Sequence, residues 1–161
     1  LAFSYPFLKR FTYWPQLFLG LTFNWGMIMG YVSILDTISV DIIVLYISAI
    51  FWTLGYDTIY GAQDIVDDEI IGIKSTAIKF KKQIKLFVST CYMITSVLIF
   101  YIFIEKFRLN FFTLFLIMFF ISLIYQLIIF KKENASSCLR AFRMNNLSGF
   151  FLLASIMFLK L

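Results

Sequence analysis

The chain has 161 residues, of which 61% are hydrophobic and 20% are aromatic, and its formal net charge is +5. A soluble domain is nearer half apolar, so this composition excludes a disordered chain and a nucleic-acid-binding domain and indicates a polytopic membrane protein. The sequence contains no histidine, which excludes histidine catalysis and histidine metal ligands. Its two cysteines do not suggest a disulfide framework.

Runs without charged residues predict the membrane spans, because a helix needs about 20 residues to cross a bilayer. Five such runs are 11–35, 42–56 (continuing as a helix to about residue 63), 86–104, 109–130 and 144–159. The apolar segment 1–8 is too short to cross and is interpreted as the tail of an earlier helix. We therefore expect an all-α, polytopic transmembrane helix bundle with about five complete spans plus the end of a sixth.

The distribution of basic residues supports this count. If the spans alternate, 11 of the 14 lysines and arginines share one side of the membrane, most of them in basic loops at 74–85 and 131–143. The positive-inside rule then places that side in the cytoplasm, or in the matrix of a mitochondrion. A wrong span count would have scrambled this asymmetry.

One polar residue inside the first predicted span, Asn24, has two open interpretations. Its side chain either forms a hydrogen bond to a neighbouring helix or lines a substrate cavity.

The most informative stretch is 56–80, YDTIYGAQDIVDDEIIGIKSTAIKF, which carries five of the nine acidic residues. Carboxylates at the edge of a bilayer are costly, so they usually mark a functional site. At about 100° per residue, Asp57, Asp64 and Asp68 fall within roughly 40° of one another on a helix, and Tyr60 flanks them. Carboxylates one turn apart are suitable ligands for Mg²⁺.

The end of this stretch adds a positive charge. We expect the helix to break at Gly72, and Lys74 follows as a point charge for a phosphate. The alternative interpretation is that the acidic segment is only a solvated helix end. Against it, no basic residue lies between Asp41 and Lys74 to neutralise Asp57.

The acidic stretch resembles the second aspartate-rich motif of the UbiA superfamily of intramembrane prenyltransferases. The motif sequence, YDTIY…QD..DD..IGIKSTA, is most similar to that of the subgroup that prenylates 4-hydroxybenzoate in ubiquinone biosynthesis. The segments 5–26 (YPFLKRFTYWPQLFLGLTFNWG) and 138–149 (CLRAFRMNNLSG) resemble the same subgroup. The family's first aspartate-rich motif has no counterpart here. The resemblance therefore implies that residues 1–161 are the C-terminal portion of a single membrane-embedded domain whose upstream half carries that motif.

The resemblance also implies a function. It implies a polyprenyltransferase in the bacterial inner membrane or mitochondrial inner membrane, with the acidic motif on the cytoplasmic or matrix side. The implied reaction is Mg²⁺-dependent transfer of a polyprenyl group from polyprenyl diphosphate to the carbon of 4-hydroxybenzoate ortho to its hydroxyl. The implied site residues are, for catalysis, Asp57, Asp64 and Asp68; for the metal, Asp64, Asp68 and Asp67; and for substrate binding, Lys74, Tyr60 and Arg10.

Three alternatives remain beside this hypothesis. The first is a related prenyltransferase that uses another aromatic or quinone-precursor acceptor. The second is a transporter or channel segment whose carboxylates bind a cation, although such proteins more often have helices broken by glycine or proline at mid-span. The third is an inactive remnant.

Overall fold

The computed structural model describes residues 5–159, with side chains from Phe7 onward. This part of the chain forms nine α-helices and no strand. The helices are α1 (Tyr5–Phe11), α2 (Pro15–Phe23), α3 (Trp25–Leu35), α4 (Val40–Gly61), α5 (Ile65–Ile71), α6 (Thr76–Lys79), α7 (Ile84–Phe103), α8 (Phe111–Ile129) and α9 (Ala135–Met157). The predicted all-α bundle is confirmed.

Four helical stretches in the described residues are long and apolar enough to cross a membrane. They are Pro15–Leu35, Val40–Ile71, Ile84–Lys106 and Phe111–Ile129, and they coincide with the first four predicted spans. Helix α9, in the place of the fifth, has 23 residues but is not among these four. The predicted end of a sixth span, 1–8, lies partly outside the described residues.

Helix α9 begins earlier than the sequence predicts. The sequence predicts a basic loop at 131–143 with room for a short helix. Instead, Asn134 caps a long helix that starts at Ala135, and its side chain accepts a hydrogen bond from the Ser137 N–H at 3.1 Å. An asparagine side chain at this position satisfies a backbone donor that the first helical turn leaves free. The first turns of α9 are therefore polar, which lowers the mean hydropathy of the helix.

The first span is divided at Asn24, between α2 and α3. The Asn24 side-chain amide donates to the Gly20 carbonyl at 2.8 Å. It also donates to the hydroxyl of Thr53, which lies on α4, at 2.9 Å. Beside it, a Cβ added at Gly20 would lie 3.1 Å from the Ile50 carbonyl oxygen, so the two helices approach closely. Of the two interpretations of Asn24, the structure supports the hydrogen bond between helices.

Helix α4 lies at the centre of the bundle and packs against α2, α7 and α9. Its contact with α7 is close: a Cβ added at Gly55 would lie 2.5 Å from the ring of Tyr92. The buried hydroxyl of Tyr92 donates to the side-chain oxygen of Gln126 on α8 at 2.7 Å. The Gln126 amide in turn donates to the Ser148 hydroxyl on α9 at 2.8 Å. These hydrogen bonds connect α7, α8 and α9 inside the bundle.

The segment after α4 is held in place by several elements. A 3₁₀ turn (Ala62–Asp64) leads into α5, which ends at Gly72 in a left-handed conformation with φ of 79°, as the sequence predicted. The Lys74 N–H then donates to the Lys9 carbonyl at 2.7 Å. The Thr76 N–H donates to the Gln16 side chain at 3.0 Å. The acidic stretch is thus fixed to α1 and α2.

Candidate active site

The predicted column of carboxylates is not one continuous helix face. Asp57 lies on α4, whereas Asp64 is the last residue of the 3₁₀ turn that follows this helix. A 3₁₀ helix has about 3.0 residues per turn instead of about 3.6, so three residues rotate the chain by roughly 60° more than an α-helix would. The angular estimate from the sequence is therefore wrong across this turn, whereas Asp68 remains one turn after Asp64.

Three of the acidic residues, Asp64, Asp67 and Asp68, lie near one another around the start of α5 without converging on one point. Asp68 lies close enough to Asp64 and Asp67 for their charges to interact. Asp64 and Asp68 are half-buried and Asp67 is exposed. The arrangement concentrates negative charge at the start of α5, where the helix dipole favours it.

The fourth aspartate, Asp57, lies on α4 and is half-buried. It shares one neighbouring cation, Lys9, with Asp68. The Lys9 ammonium interacts electrostatically with both Asp57 and Asp68. It is not within 4 Å of either carboxylate. Sequence reasoning selected the adjacent Arg10, which is exposed, and missed Lys9. Only the packing of α1 decides which of these two neighbours faces the acids, so the sequence held no signal for it.

Ion pairs distinguish these carboxylates from the other acids nearby. In residues 5–159 the ion pairs are Lys81–Glu69, at 2.7 Å, and Lys132–Glu133, at 3.8 Å. Glu69 is thus neutralised, while the four aspartates of the stretch have no ion-pair partner in the described structure. Such carboxylates keep their oxygens available for a cation.

Lys74 is placed beside α1. Its ammonium lies 5.6 Å from the centre of the Tyr13 ring and donates a long hydrogen bond, 3.5 Å, to the Phe11 carbonyl. No carboxylate of the described residues lies within 4 Å of it. The lysine is close to the chain segment that also carries Lys9, so both cations lie at this end of the bundle.

Tyr60 belongs to an aromatic wall between α4 and α9. Its ring centre is 4.8 Å from that of Phe142, which also lies 6.0 Å from Tyr56. Tyr60 is 40% exposed and therefore accessible to a ligand. Phe142 was not among the predicted site residues, because it lies in the segment 131–143, for which the sequence predicted a basic loop with at most a short helix.

The donor set fits a divalent cation that is only partly bound by protein. No three acidic or cysteine side chains of residues 5–159 converge as a complete metal site. Asp64 and Asp68 nevertheless offer two hard oxygen ligands one turn apart. Mg²⁺ is commonly held by one or two carboxylates and completes its coordination with water and phosphate oxygens.

Comparison with known proteins identifies the family. The model of the "UbiA prenyltransferase family" matches residues 1–154. The chain belongs to the UbiA prenyltransferase family. No solved structure matches the chain.

Curated relatives are similar to this UbiA family member over different lengths. A mitochondrial 4-hydroxybenzoate polyprenyltransferase of Dictyostelium discoideum is 40% identical over 98% of the chain and 34% of its own length. Its counterpart in Arabidopsis thaliana is 51% identical over 55% of the chain and 22% of its own length. A 4-hydroxybenzoate geranyltransferase of Lithospermum erythrorhizon is 49% identical over 55% of the chain and 29% of its own length. The chain thus spans about a third or less of these relatives.

Proposed function

We propose that the protein containing this chain transfers a polyprenyl group from polyprenyl diphosphate to 4-hydroxybenzoate in ubiquinone biosynthesis, with Mg²⁺ as cofactor. The observation that carries the proposal is the group of aspartates without ion-pair partners, Asp57 to Asp68, at one end of a UbiA family bundle. Uncompensated carboxylates beside an apolar bundle are expensive and are retained for function.

The residues divide into two roles at the diphosphate. Asp64 and Asp68 would hold Mg²⁺, with Asp67 assisting. Bound there, the metal supplies positive charge that neutralises the leaving diphosphate. Lys74 and Arg10 are proposed to hold diphosphate oxygens, and the position of Lys9 near two carboxylates adds it to this group. These cations stabilise negative charge where it develops as the carbon–oxygen bond breaks.

The apolar and aromatic side chains around the site are proposed to protect the reactive intermediate from water. As the diphosphate leaves, the allylic carbon becomes cationic, and surrounding apolar side chains exclude the water that would quench it. The ring carbon ortho to the hydroxyl of 4-hydroxybenzoate then forms the new carbon–carbon bond, and its proton passes to the departing diphosphate. Tyr60, accessible beside Phe142, is proposed to contact a substrate, and Asp57 to orient the acceptor or the metal shell.

Membership of the family favours this proposal over a cation transporter. All three relatives are named for 4-hydroxybenzoate as the acceptor, whereas two are polyprenyltransferases and one is a geranyltransferase. This pattern favours the same acceptor here over another aromatic or quinone-precursor acceptor.

We further propose that the chain is the C-terminal portion of one prenyltransferase domain in the mitochondrial inner membrane, with the acidic stretch on the matrix side. The mitochondrial names of relatives and the concentration of basic residues near the acidic stretch support this placement.

The test is an assay of the complete protein in membranes, with 4-hydroxybenzoate and a series of polyprenyl diphosphates. We expect prenylation that requires Mg²⁺ and that falls at least about 100-fold in Asp64→Asn and in Asp68→Asn at equal protein levels. Glu105→Gln, an exposed acid in the α7–α8 connection, is the matched control and should retain activity. Full activity in both aspartate variants would refute the site, and prenylation of a different acceptor only would refute the substrate.

A further inference from the structure

A second charged site lies next to the acidic stretch, and its residues Lys132 and Glu133 also line a pocket with Gln63 and Val66 of that stretch. A cavity of about 500 Å³ opens between the first turn of α7 and the connection from α8 to α9. Its charged lining consists of Lys82, Lys85, Lys131, Lys132 and Glu133. Four ammonium groups against a single carboxylate give the cavity a clear positive charge.

Most of this charge is not neutralised by the protein. Lys132 is 3.8 Å from Glu133 and donates to the Lys81 carbonyl at 3.3 Å. In contrast, Lys82, Lys85 and Lys131 have no ion-pair partner among residues 5–159. All three are exposed, so their ammonium groups can reach an anion.

The cavity is built on ordered structure. Ile84 and Phe130, each 2% exposed, are apolar residues of its lining. The backbone of Lys131 is fixed by the first turn of α9, because its N–H donates to the Ser137 hydroxyl at 3.1 Å and its carbonyl accepts from that hydroxyl at 2.8 Å. The lysines therefore project from a rigid rim.

The position of the cavity indicates where its ligand comes from. Helix α7 begins a membrane-capable stretch at Ile84 and α8 ends one at Ile129, so the cavity lies where two spans meet the membrane surface. Leu86, also in the lining, is 62% exposed and continues the wall along the apolar part of α7. Basic pockets between transmembrane helices at this level bind anionic lipid headgroups.

We propose that this cavity binds the headgroup phosphate of an anionic phospholipid from the surrounding leaflet, with the lysines at the phosphate and Leu86 along the acyl chain. The alternative ligand is a free phosphate or diphosphate, which would use the same ammonium groups but not the apolar wall. The proposal does not depend on the proposed reaction, because none of these residues belongs to the acidic stretch.

The experiment uses the complete protein purified in a neutral detergent. Native mass spectrometry counts bound lipid during titration with phosphatidylglycerol, phosphatidylcholine and inorganic diphosphate. The test variant is Lys82→Gln/Lys85→Gln/Lys131→Gln, and a smaller one is Lys85→Gln/Lys131→Gln. The matched control is Lys106→Gln/Arg108→Gln, which removes exposed charges from the connection at the other end of α7.

We expect phosphatidylglycerol to bind the parent at least about 10-fold more tightly than phosphatidylcholine, and the lysine variants to lose this preference. The control should keep it, and Lys82→Arg/Lys85→Arg/Lys131→Arg should restore it, because arginine also binds phosphate. Equal binding of both lipids by the parent, or an unchanged preference in the folded two-lysine variant, would overturn the proposal. Displacement of the lipid by inorganic diphosphate at a similar concentration would assign the cavity to free phosphates.

Discussion

Two polar regions of this apolar bundle differ in whether their side chains find partners within the protein. In the interior, the buried side chains of Tyr92, Gln126 and Ser148 satisfy one another across three helices. At the end of α4, the half-buried Asp57 and its neighbours on α5 have no ion-pair partner in the described structure. Polar groups that are satisfied internally specify helix packing, whereas those left uncompensated are retained for a ligand.

Beyond the two proposed metal ligands, the largest expected effect comes from replacing the half-buried carboxylate of Asp57. In Asp57→Asn, we expect activity to fall about 100-fold, because a charge that orients substrate or metal is lost. Thermal stability should stay equal or rise, because an uncompensated charge no longer has to be desolvated. Detergent thermal unfolding and the prenylation assay measure the two effects, with the exposed Asp41→Asn, at the other end of α4, as the control. A large loss of stability would place Asp57 with the structural network instead.

The two adjacent cations of α1 provide a second test of the acidic end. Lys9→Gln should raise the KM for the diphosphate substrate about 10-fold, equivalent to about 1.4 kcal/mol, because Lys9 acts on both Asp57 and Asp68. Arg10→Gln should raise KM by a smaller factor, about 3-fold, because solvent screens the charge of this exposed side chain. Steady-state kinetics with varied diphosphate measures both. If the two substitutions had the same effect, the difference that the structure shows between these neighbours would have no role in binding.

The sequence predicted the broad architecture well, because long uncharged runs have few stable alternatives to membrane helices. It also selected the acidic stretch, since carboxylates beside such runs are rare. It did not predict three features that depend on single elements: the 3₁₀ turn (Ala62–Asp64), the position of Lys9 near Asp57 and Asp68, and the start of α9. These depend on tertiary contacts of helix ends, which local periodicity does not encode. Because the start of α9 was not predicted, Phe142, the aromatic partner of Tyr60, was not recognised as a residue near the site.

The hydrogen bonds among Tyr92, Gln126 and Ser148 can be tested by replacing tyrosine with phenylalanine at one buried and one exposed position. Tyr92→Phe removes a buried hydroxyl and leaves the Gln126 oxygen without its donor, so we expect a loss of about 0.6–2 kcal/mol in unfolding free energy. Tyr125→Phe makes the same change on an exposed face and should be nearly neutral. Both variants should keep their activity per folded molecule. Unequal catalytic rates with equal stability would show that the network serves the reaction.

The smallest expected effect concerns the neutralised acid beside the aspartates. Glu69 and Lys81 form an ion pair at 2.7 Å, but their side chains are 41% and 47% exposed. Solvent screens such a pair, so Glu69→Gln should cost no more than about 1 kcal/mol in unfolding free energy and should leave activity unchanged. Thermal unfolding at low and high salt measures the cost, which should shrink as salt increases. A loss of activity like that of Asp68→Asn would mean that the acidic site extends to Glu69, and that an ion pair does not separate structural from functional carboxylates here.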